Sequence, residues 1–157
     1  RMRTTGKKMP FLILFFAVVF NSLNGYLNGR YLGVMDAHYG TEWLTDPRFI
    51  VGVLVFIVGF AINHHSDGIL FRLRPEGDTG YHVPYGGAYR WVSSPNYMGE
   101  MIEWIGWAIA TWTFAGAYFA IWTAANLIPR ARDHHRWYRE TFEDYPDERK
   151  AVVPYLY

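Results

Sequence analysis

The polar residues with chemical potential lie at helical spacing at the two ends of one long apolar stretch. The first set shares a helical face at positions i, i+4, i+7 and i+8: Asn96, Glu100, Glu103 and Trp104. The second set shares a face at i, i+4 and i+8: Arg130, His134 and Tyr138. Guanidinium groups match phosphates, whereas carboxylates and amides bind hydroxyls or a carboxamide. These patterns predict two helices that present their polar faces to a common cavity.

A third polar face follows the apolar segment Phe49–Ile62. Asn63, Asp67 and Arg74 lie at i, i+4 and i+11, again on one side of a helix. A charged carboxylate at the centre of a membrane helix costs roughly 2.5–3.5 kcal/mol, so Asp67 must face protein or water. Arg72 and Arg74 have two interpretations, as ordinary anchors at the cytoplasmic end of a helix or as phosphate ligands.

Taken together, cations, carboxylates, amides and aromatic rings suit a polyanionic nucleotide that contains sugar. The residues expected at the opening of the predicted cavity are Asn63, Asp67, Arg72, Arg74, Tyr81, Asn96, Glu100, Glu103, Arg130, His134, Arg136 and Tyr138. The sequence has neither GxGxxG after a strand nor GxxxxGK[ST], so Rossmann and P-loop sites do not apply. A dinucleotide site here is therefore helical and embedded in a membrane. Each residue alone has a plainer interpretation, such as a buried carboxyl for Glu103 or a helix end for Arg130.

The elements that must position these residues are membrane helices. Half of the 157 residues are hydrophobic, and Met101–Ile128 carries a single charge, Glu103. That segment is about 42 Å long as a helix, against a hydrocarbon core of about 30 Å. One strongly tilted helix or two helices that meet near 113–116 would fit, and we favour two. The prediction is an all-α transmembrane bundle with spans at about 10–28, 49–71, 96–113 and 115–137, a lid loop at 72–95 and a tail at 138–157.

The tail is predicted to continue as an amphipathic helix that ends at Pro146, with an apolar end from Val152 that docks on the bundle or the interface. A polar stripe at i, i+3 and i+7 is formed by Asn21, Asn24 and Asn28. It is either a helix end in contact with water at the membrane interface or one wall of the cavity. The adjacent His64 and His65 point about 100° apart on a helix, so no metal site is predicted.

The distribution of cations predicts the orientation of the chain. With four spans, 13 of the 15 Lys and Arg residues fall on one side, and only Arg30 and Arg48 lie on the other. The positive-inside rule places both ends and the long loop in the cytoplasm. We expect a multi-pass protein of the bacterial inner membrane or the endoplasmic reticulum. The net charge of +1 argues against nucleic acid, and the lack of cysteine excludes disulfides and thiolate chemistry.

Three stretches carry a family resemblance: GFAINHHSDGIL, GYHVPYGGAYRWVSSPNYMGEMIEWIGWAIATW and RARDHHRWYRETFEDYPDERKAVVPYLY. Together they resemble the C-terminal portion of the steroid 5α-reductases, membrane enzymes that use NADPH. The resemblance implies a bundle of seven spans, of which this chain supplies the last four. It also implies reduction of the double bond of a 3-oxo-Δ4 steroid that enters from the lipid.

The resemblance further implies roles for individual residues. Those similar to cofactor ligands are Asn63, Asp67, Arg74, Tyr81, Asn96, Glu100, Arg130, His134 and Tyr138, and Arg72 is a further phosphate candidate. Trp104, with its neighbour Glu103, is similar to a residue beside the nicotinamide and steroid. His82 stands where relatives have a basic residue. The family's carbonyl-polarising Glu–Tyr pair is expected in earlier spans of the same protein, so we name no catalytic residue here.

Two other classes of function stay open from the sequence. The His-rich ending also resembles sterol reductases, enoyl-CoA reductases and membrane methyltransferases of the isoprenylcysteine type, which use S-adenosylmethionine. A methyltransferase needs fewer phosphate-binding arginines, so Arg72 and Arg74 argue against it. A non-enzymatic membrane scaffold would use the polar faces for helix association and would bind no nucleotide.

Overall fold

The computed structural model describes residues 10–35, 39–73 and 80–156. The helices in these ranges are α1 (Phe11–Arg30), α2 (Pro47–Arg72), α3 (Pro95–Thr111) and α4 (Phe114–Thr141). Three short turns join them: a π-helical turn at Tyr31–Met35 and 3-10 turns at Thr41–Thr45 and Gly87–Arg90. Within the described ranges no strand forms, and the isolated bridge Val92–Lys150 is the nearest approach to one. The prediction of an all-α fold is confirmed.

Side-chain caps set where α2 and α4 begin. The Asp46 carboxylate accepts from the backbone N–H of Arg48 at 2.8 Å, and Pro47 occupies the first helical position. Hydrogen bonds from Arg48 lower the pKa of Asp46 to about 2. The Thr113 hydroxyl accepts from Gly116 N–H at 3.0 Å, directly after Trp112 ends α3 with φ 48°. Two helices therefore meet at 112–113, as predicted, rather than one tilted helix.

Glycines let α2 and α3 pack with their backbones in contact. Gly52 and Gly59 on α2, like Gly99 and Gly106 on α3, are spaced by seven residues and buried. A Cβ built on Gly59 would lie 2.7 Å from the Gly99 carbonyl oxygen, and one on Gly106 would lie 2.7 Å from Phe56 Cα. These four glycines, the glycine seam, hold the two helices antiparallel and fix which residues face each other at their ends.

The second half of α4 carries the predicted tail helix. α4 runs without interruption through Pro129 and ends at Thr141, five residues before Pro146. The predicted helix end at Pro146 is thus wrong, because Phe142 adopts extended backbone and the chain turns back from there. The turn lets residues 145–152 pack against the other helices.

The tightest packing lies where the loop before α3 meets the tail. Tyr89, Val92 and Val152 are almost completely buried there. Val152 belongs to one apolar cluster with Met101, Leu127, Ala131 and Ala151. The predicted docking of the apolar end is confirmed at Val152, whereas Tyr155 and Leu156 are 85% and 82% exposed.

Among the described residues, two helical stretches are long and apolar enough to cross a membrane, Phe11–Gly33 and Pro47–Arg72. None of the α1 side chains is buried, and many of its large apolar groups are exposed. Its aromatic contact with the other helices runs through Phe20, which stacks on Phe119 and Trp122 of α4. Such an open apolar surface is typical of a helix that faces lipid or further protein.

Candidate functional site

The polar faces of α2 and α3 meet through two hydrogen bonds. The Asn63 amide donates to the Asn96 carbonyl oxygen at 3.0 Å, and the Asn96 amide donates to Asp67 Oδ1 at 3.2 Å. The glycine seam explains this proximity, since a Cβ built on Gly99 would lie 2.9 Å from Asn63 Cα. Two of the three predicted faces therefore share one site.

Helix α4 completes the site from the other side of α3. The His134 ring lies 5.6 Å from the ring of Tyr97, one position after Asn96. Arg130, Glu100 and Asp67 all lie close enough to the Tyr97 phenol to interact with it electrostatically. The structure thus brings together, at one end of α2, α3 and α4, a set that we call the helix-end cluster: Asn63, Asp67, Asn96, Glu100, Arg130 and His134.

Aromatic rings border the helix-end cluster. Tyr138 stacks on Tyr145 with ring centroids 5.3 Å apart and an interplanar angle of 8°. Trp137 contacts Tyr138 and also Tyr81, in both cases at 5.1 Å. Tyr89 is 1% exposed, and this burial raises the pKa of its phenol, with a further contribution from Asp67. Tyr138 therefore lies one helical turn after His134, and Tyr81 is joined to Tyr138 through the Trp137 ring.

Trp104 and Glu103 lie one turn further along α3. The Trp104 ring meets the Phe119 ring edge to face at 4.3 Å, and Trp104 lies four residues after Glu100 on the same face of α3. The Glu103 backbone packs on Gly59, and its side chain is half-buried. Trp104 thus joins the helix-end cluster to an aromatic wall formed with α4.

Two of the predicted arginines stand apart from the cluster. Arg72 is exposed at the end of α2, its guanidinium lies over Gly68, and among the described residues it makes no contact with the cluster. Arg136 is exposed and pairs with Asp133 at 2.8 Å. A third, Arg74, lies outside the described residues. The structure therefore supports Arg130, rather than Arg72 or Arg136, as the cation of the cluster.

Several residues at the site were missed from the sequence. Ser93, Tyr97 and Tyr145 contact the predicted ligands or their neighbours, but their spacing gives no helical pattern that would single them out. The glycine seam had a visible signal, the repeated seven-residue spacing of Gly52/Gly59 and Gly99/Gly106. The backbone at Gly87 approaches the His65 ring closely, since a Cβ there would lie 2.6 Å from it.

The asparagine stripe of α1 satisfies most of its polar groups locally. Asn21 donates to the Ala17 carbonyl oxygen, and Asn28 donates to the side chain and backbone of Asn24. Within the described ranges, the stripe's one hydrogen bond beyond α1 comes from the Trp107 indole N–H, which donates to Asn28 Oδ1 at 3.4 Å. These bonds do not line a polar cavity, so the helix-end interpretation fits better.

Two pockets flank the described part of the molecule. An apolar pocket of about 300 Å³ lies at the opposite end of α2 and α3, between Trp43, Phe49 and Trp107. A more polar pocket of about 530 Å³ lies between His82 and the residues after α4. Its wall carries Glu143, which would repel phosphate. No residue of the helix-end cluster lines either of these two pockets.

Comparison with known proteins decides the family. A profile described as 3-oxo-5-alpha-steroid 4-dehydrogenase matches residues 7–157. The chain belongs to this family. It is 48% identical to 3-oxo-5-alpha-steroid 4-dehydrogenase 1 of Macaca fascicularis, over 97% of this chain and 57% of the relative. It is also 47% identical to the human protein of the same name, over 97% of this chain and 58% of that protein.

Within the 3-oxo-5-alpha-steroid 4-dehydrogenase family the similarity extends to plants. The steroid 5-alpha-reductase DET2 of Gossypium hirsutum is 45% identical over 100% of this chain and 61% of its own length. The chain thus spans about three fifths of the length of these curated relatives. The resemblance seen in the motifs is confirmed, and it reaches back to residue 7, well before Phe49.

Proposed function

We propose that this chain carries the NADPH site of an enzyme that reduces the C4–C5 double bond of 3-oxo-Δ4 steroids. The observation that carries the proposal is the helix-end cluster itself. Three polar faces, each recognised separately in the sequence, converge at one end of α2, α3 and α4. The names of the relatives supply the reaction class.

The cluster has the donor set that a phosphorylated dinucleotide needs. Arg130 is exposed, and no carboxylate of the described residues lies within salt-bridge distance of it, so its guanidinium is open to a phosphate. Asp67, Asn63 and Asn96 offer acceptors and amide donors suited to ribose hydroxyls and a carboxamide. The residues present therefore fit NADPH.

The other proposed ligands surround this centre. His134 and Glu100 would complete its polar wall, and Tyr81 and Tyr138 would offer ring faces for stacking. Arg72 and Arg74 remain proposed phosphate ligands from the loop side.

NADPH, when bound, supplies a hydride. Trp104 and Phe119 form an apolar wall beside the cluster that would exclude water from the reacting ring. Glu103 lies on the same turn of α3, close to this wall. The carbonyl of the steroid would be polarised by the Glu–Tyr pair expected in preceding spans of the same protein, and the steroid would enter from the lipid.

We further propose that all four helices cross the membrane. α4 is about 42 Å long and α3 about 26 Å, so α3 is the shorter crossing. Both ends and the loop before α3 would lie on the cytoplasmic side, where the cofactor is available. The chain would then belong to a multi-pass protein of the endoplasmic reticulum or the bacterial inner membrane.

The binding of NADPH to the detergent-solubilised chain tests the proposal. Arg130→Ala should raise the Kd for NADPH by roughly ten- to a hundredfold, because a charge-assisted hydrogen bond to phosphate contributes about 1.5–3 kcal/mol. Arg132→Ala is the matched control, since Arg132 is an exposed arginine of the same helix that points about 160° away. Isothermal titration calorimetry provides both values.

Two results would count against the proposal. One is an equal Kd for the Arg130→Ala and Arg132→Ala variants, which would remove Arg130 from the site. The other is tighter binding of S-adenosylmethionine than of NADPH by the wild-type chain, which would favour the methyltransferase alternative.

A further inference from the structure

A buried hydroxyl connects three separate segments next to the helix-end cluster. Ser93 Oγ lies 2.6 Å from His135 Nδ1, 2.6 Å from the Tyr145 hydroxyl and 3.1 Å from the Lys150 carbonyl oxygen. Ser93 is 4% exposed and Tyr145 is 6% exposed. We call Ser93, His135 and Tyr145, with the Lys150 carbonyl, the serine node.

The serine node joins the start of α3, the body of α4 and the tail. Ser93 lies in the segment that leads into α3, and His135 lies on α4. Backbone bonds reinforce the tail contact: Ser93 N–H donates to the Lys150 carbonyl at 2.8 Å, and Ser94 N–H donates to the Ala151 carbonyl at 3.1 Å.

The hydrogen-bond chemistry of the node requires a hydroxyl at position 93. A hydroxyl has one hydrogen to donate and two lone pairs to accept with. Ser93 can accept from the Tyr145 O–H and donate either to a bare His135 Nδ1 or, when that nitrogen carries hydrogen, to the Lys150 carbonyl. An alanine would leave the buried Tyr145 hydroxyl and His135 Nδ1 without this partner, and buried polar groups without partners are costly.

Each member of the node has a proposed cofactor ligand as its neighbour. Ser93 precedes Asn96 by three residues, and His135 directly follows His134. The Tyr145 ring stacks on Tyr138. A shift of the node would therefore move groups on α3 and α4 relative to each other.

We propose that Ser93 is a positioning residue for the cofactor site. Through His135 and Tyr145 it fixes the separation between Asn96 on α3 and the His134–Tyr138 face of α4. The apolar cluster around Met101, Leu127 and Ala131 already holds α3 to α4, so the node sets alignment rather than the fold itself. This inference rests on the proposed NADPH site.

The test compares two adjacent buried serines in the full chain. Ser93→Ala should raise the Kd for NADPH about tenfold, the order expected when one hydrogen bond to a charged cofactor is misaligned. Ser94→Ala, which removes a hydroxyl that is equally buried but outside the node, should leave the Kd within about twofold. Thermal unfolding without cofactor should give a lower Tm for Ser93→Ala than for Ser94→Ala, because only the first leaves buried partners unpaired, and both Kd values are measured below these transitions.

Two further variants separate alignment from general damage. Ser93→Thr restores a hydroxyl and should bring the Kd back to within about threefold of wild type. Tyr145→Phe removes only the phenol O–H, keeps the ring on Tyr138, and should raise the Kd as Ser93→Ala does. If Ser93→Ala does not fold, the Kd of Tyr145→Phe for NADPH tests the positioning role in its place.

The possible failures are distinguishable. If wild-type protein binds NADPH but Ser93→Ala and Tyr145→Phe have unchanged Kd values, the inference fails and the proposed function stands. Equal losses in Ser93→Ala and Ser94→Ala would also overturn it. If wild-type protein does not bind NADPH at all, the proposed function fails, and the inference fails with it.

Discussion

Asn96 connects α3 to α2 through its backbone carbonyl oxygen and its side-chain amide. Its backbone oxygen accepts from Asn63 and its amide donates to Asp67, so a single residue of α3 connects to two turns of α2. An amide suits this position because Asp67, when ionised, can only accept. The donor at residue 96 therefore complements the acceptor at residue 67.

Exchange of the two partners tests this pairing. Asn96→Asp alone would place a second carboxylate where the donor now lies 3.2 Å from Asp67, and we expect a loss of roughly 1–3 kcal/mol in the free energy of unfolding. The double variant Asp67→Asn with Asn96→Asp restores one donor and one acceptor and should recover most of the loss. Chemical unfolding of the four proteins gives the coupling energy. Simple additivity of the two single losses would contradict a direct bond.

Much of the site was predictable at this scale because helical spacing is readable from sequence. The intervals within Asn96/Glu100 and Arg130/His134 place residues on a face without any knowledge of the partner helix. The cluster could not be completed in this way, since Tyr97 reaches it through a ring contact with the distant His134, and Tyr145 is held by a hydrogen bond to the equally distant Ser93. Arg72 shows the converse, a residue of suitable chemistry whose guanidinium lies over Gly68 rather than within the cluster.

At the scale of elements, the glycine seam determines the register of α2 against α3. Small residues allow helix backbones to approach closely, which membrane proteins use widely. The register aligns Asn63 with Asn96 at one end and places Gly52 beside Ala110 at the other. The helices themselves were predicted to within a few residues from their apolar runs, whereas their register depends on pairwise contacts that periodicity does not reveal.

Substitution of Gly106 by alanine should push α2 and α3 apart. The new methyl group would meet the backbone of Phe56, so we expect a loss of about 1–3 kcal/mol in the free energy of unfolding from overpacking. Gly25→Ala on α1 is the control, because nothing lies within 4 Å of the position that its new methyl group would take, and there the change should be neutral or stabilising by up to about 1 kcal/mol. Equal effects in the two variants, measured by thermal unfolding in detergent, would contradict the seam.

At the scale of the whole molecule, the polar cluster and the apolar pocket occupy opposite ends of α2 and α3. Helices α1 and α2 are apolar enough to cross a membrane, and 13 of 15 cations lie on the side that the four-span topology assigns to the cytoplasm. The proposed cofactor site therefore coincides with the end of the bundle at which a cytosolic cofactor would be available.

The lack of cysteine makes this topology directly testable. Glu148→Cys should react with a membrane-impermeant maleimide only from the cytoplasmic face, whereas Glu42→Cys should react only from the opposite face. Both positions are exposed, so reactivity reports the side of the membrane rather than burial. Labelling after detergent solubilisation, where both must react, provides the control. Reaction of both variants from the same face would rule out the four-span arrangement.

The central claim, that NADPH binds among the ends of α2, α3 and α4, is tested most directly by hydrogen–deuterium exchange with and without the cofactor. We predict slower exchange on addition of NADPH in residues 63–67, 93–100 and 130–138, with no change at 41–45 and 107–111 around the apolar pocket. Unchanged exchange in the first three segments, or protection confined to the apolar pocket, would contradict it.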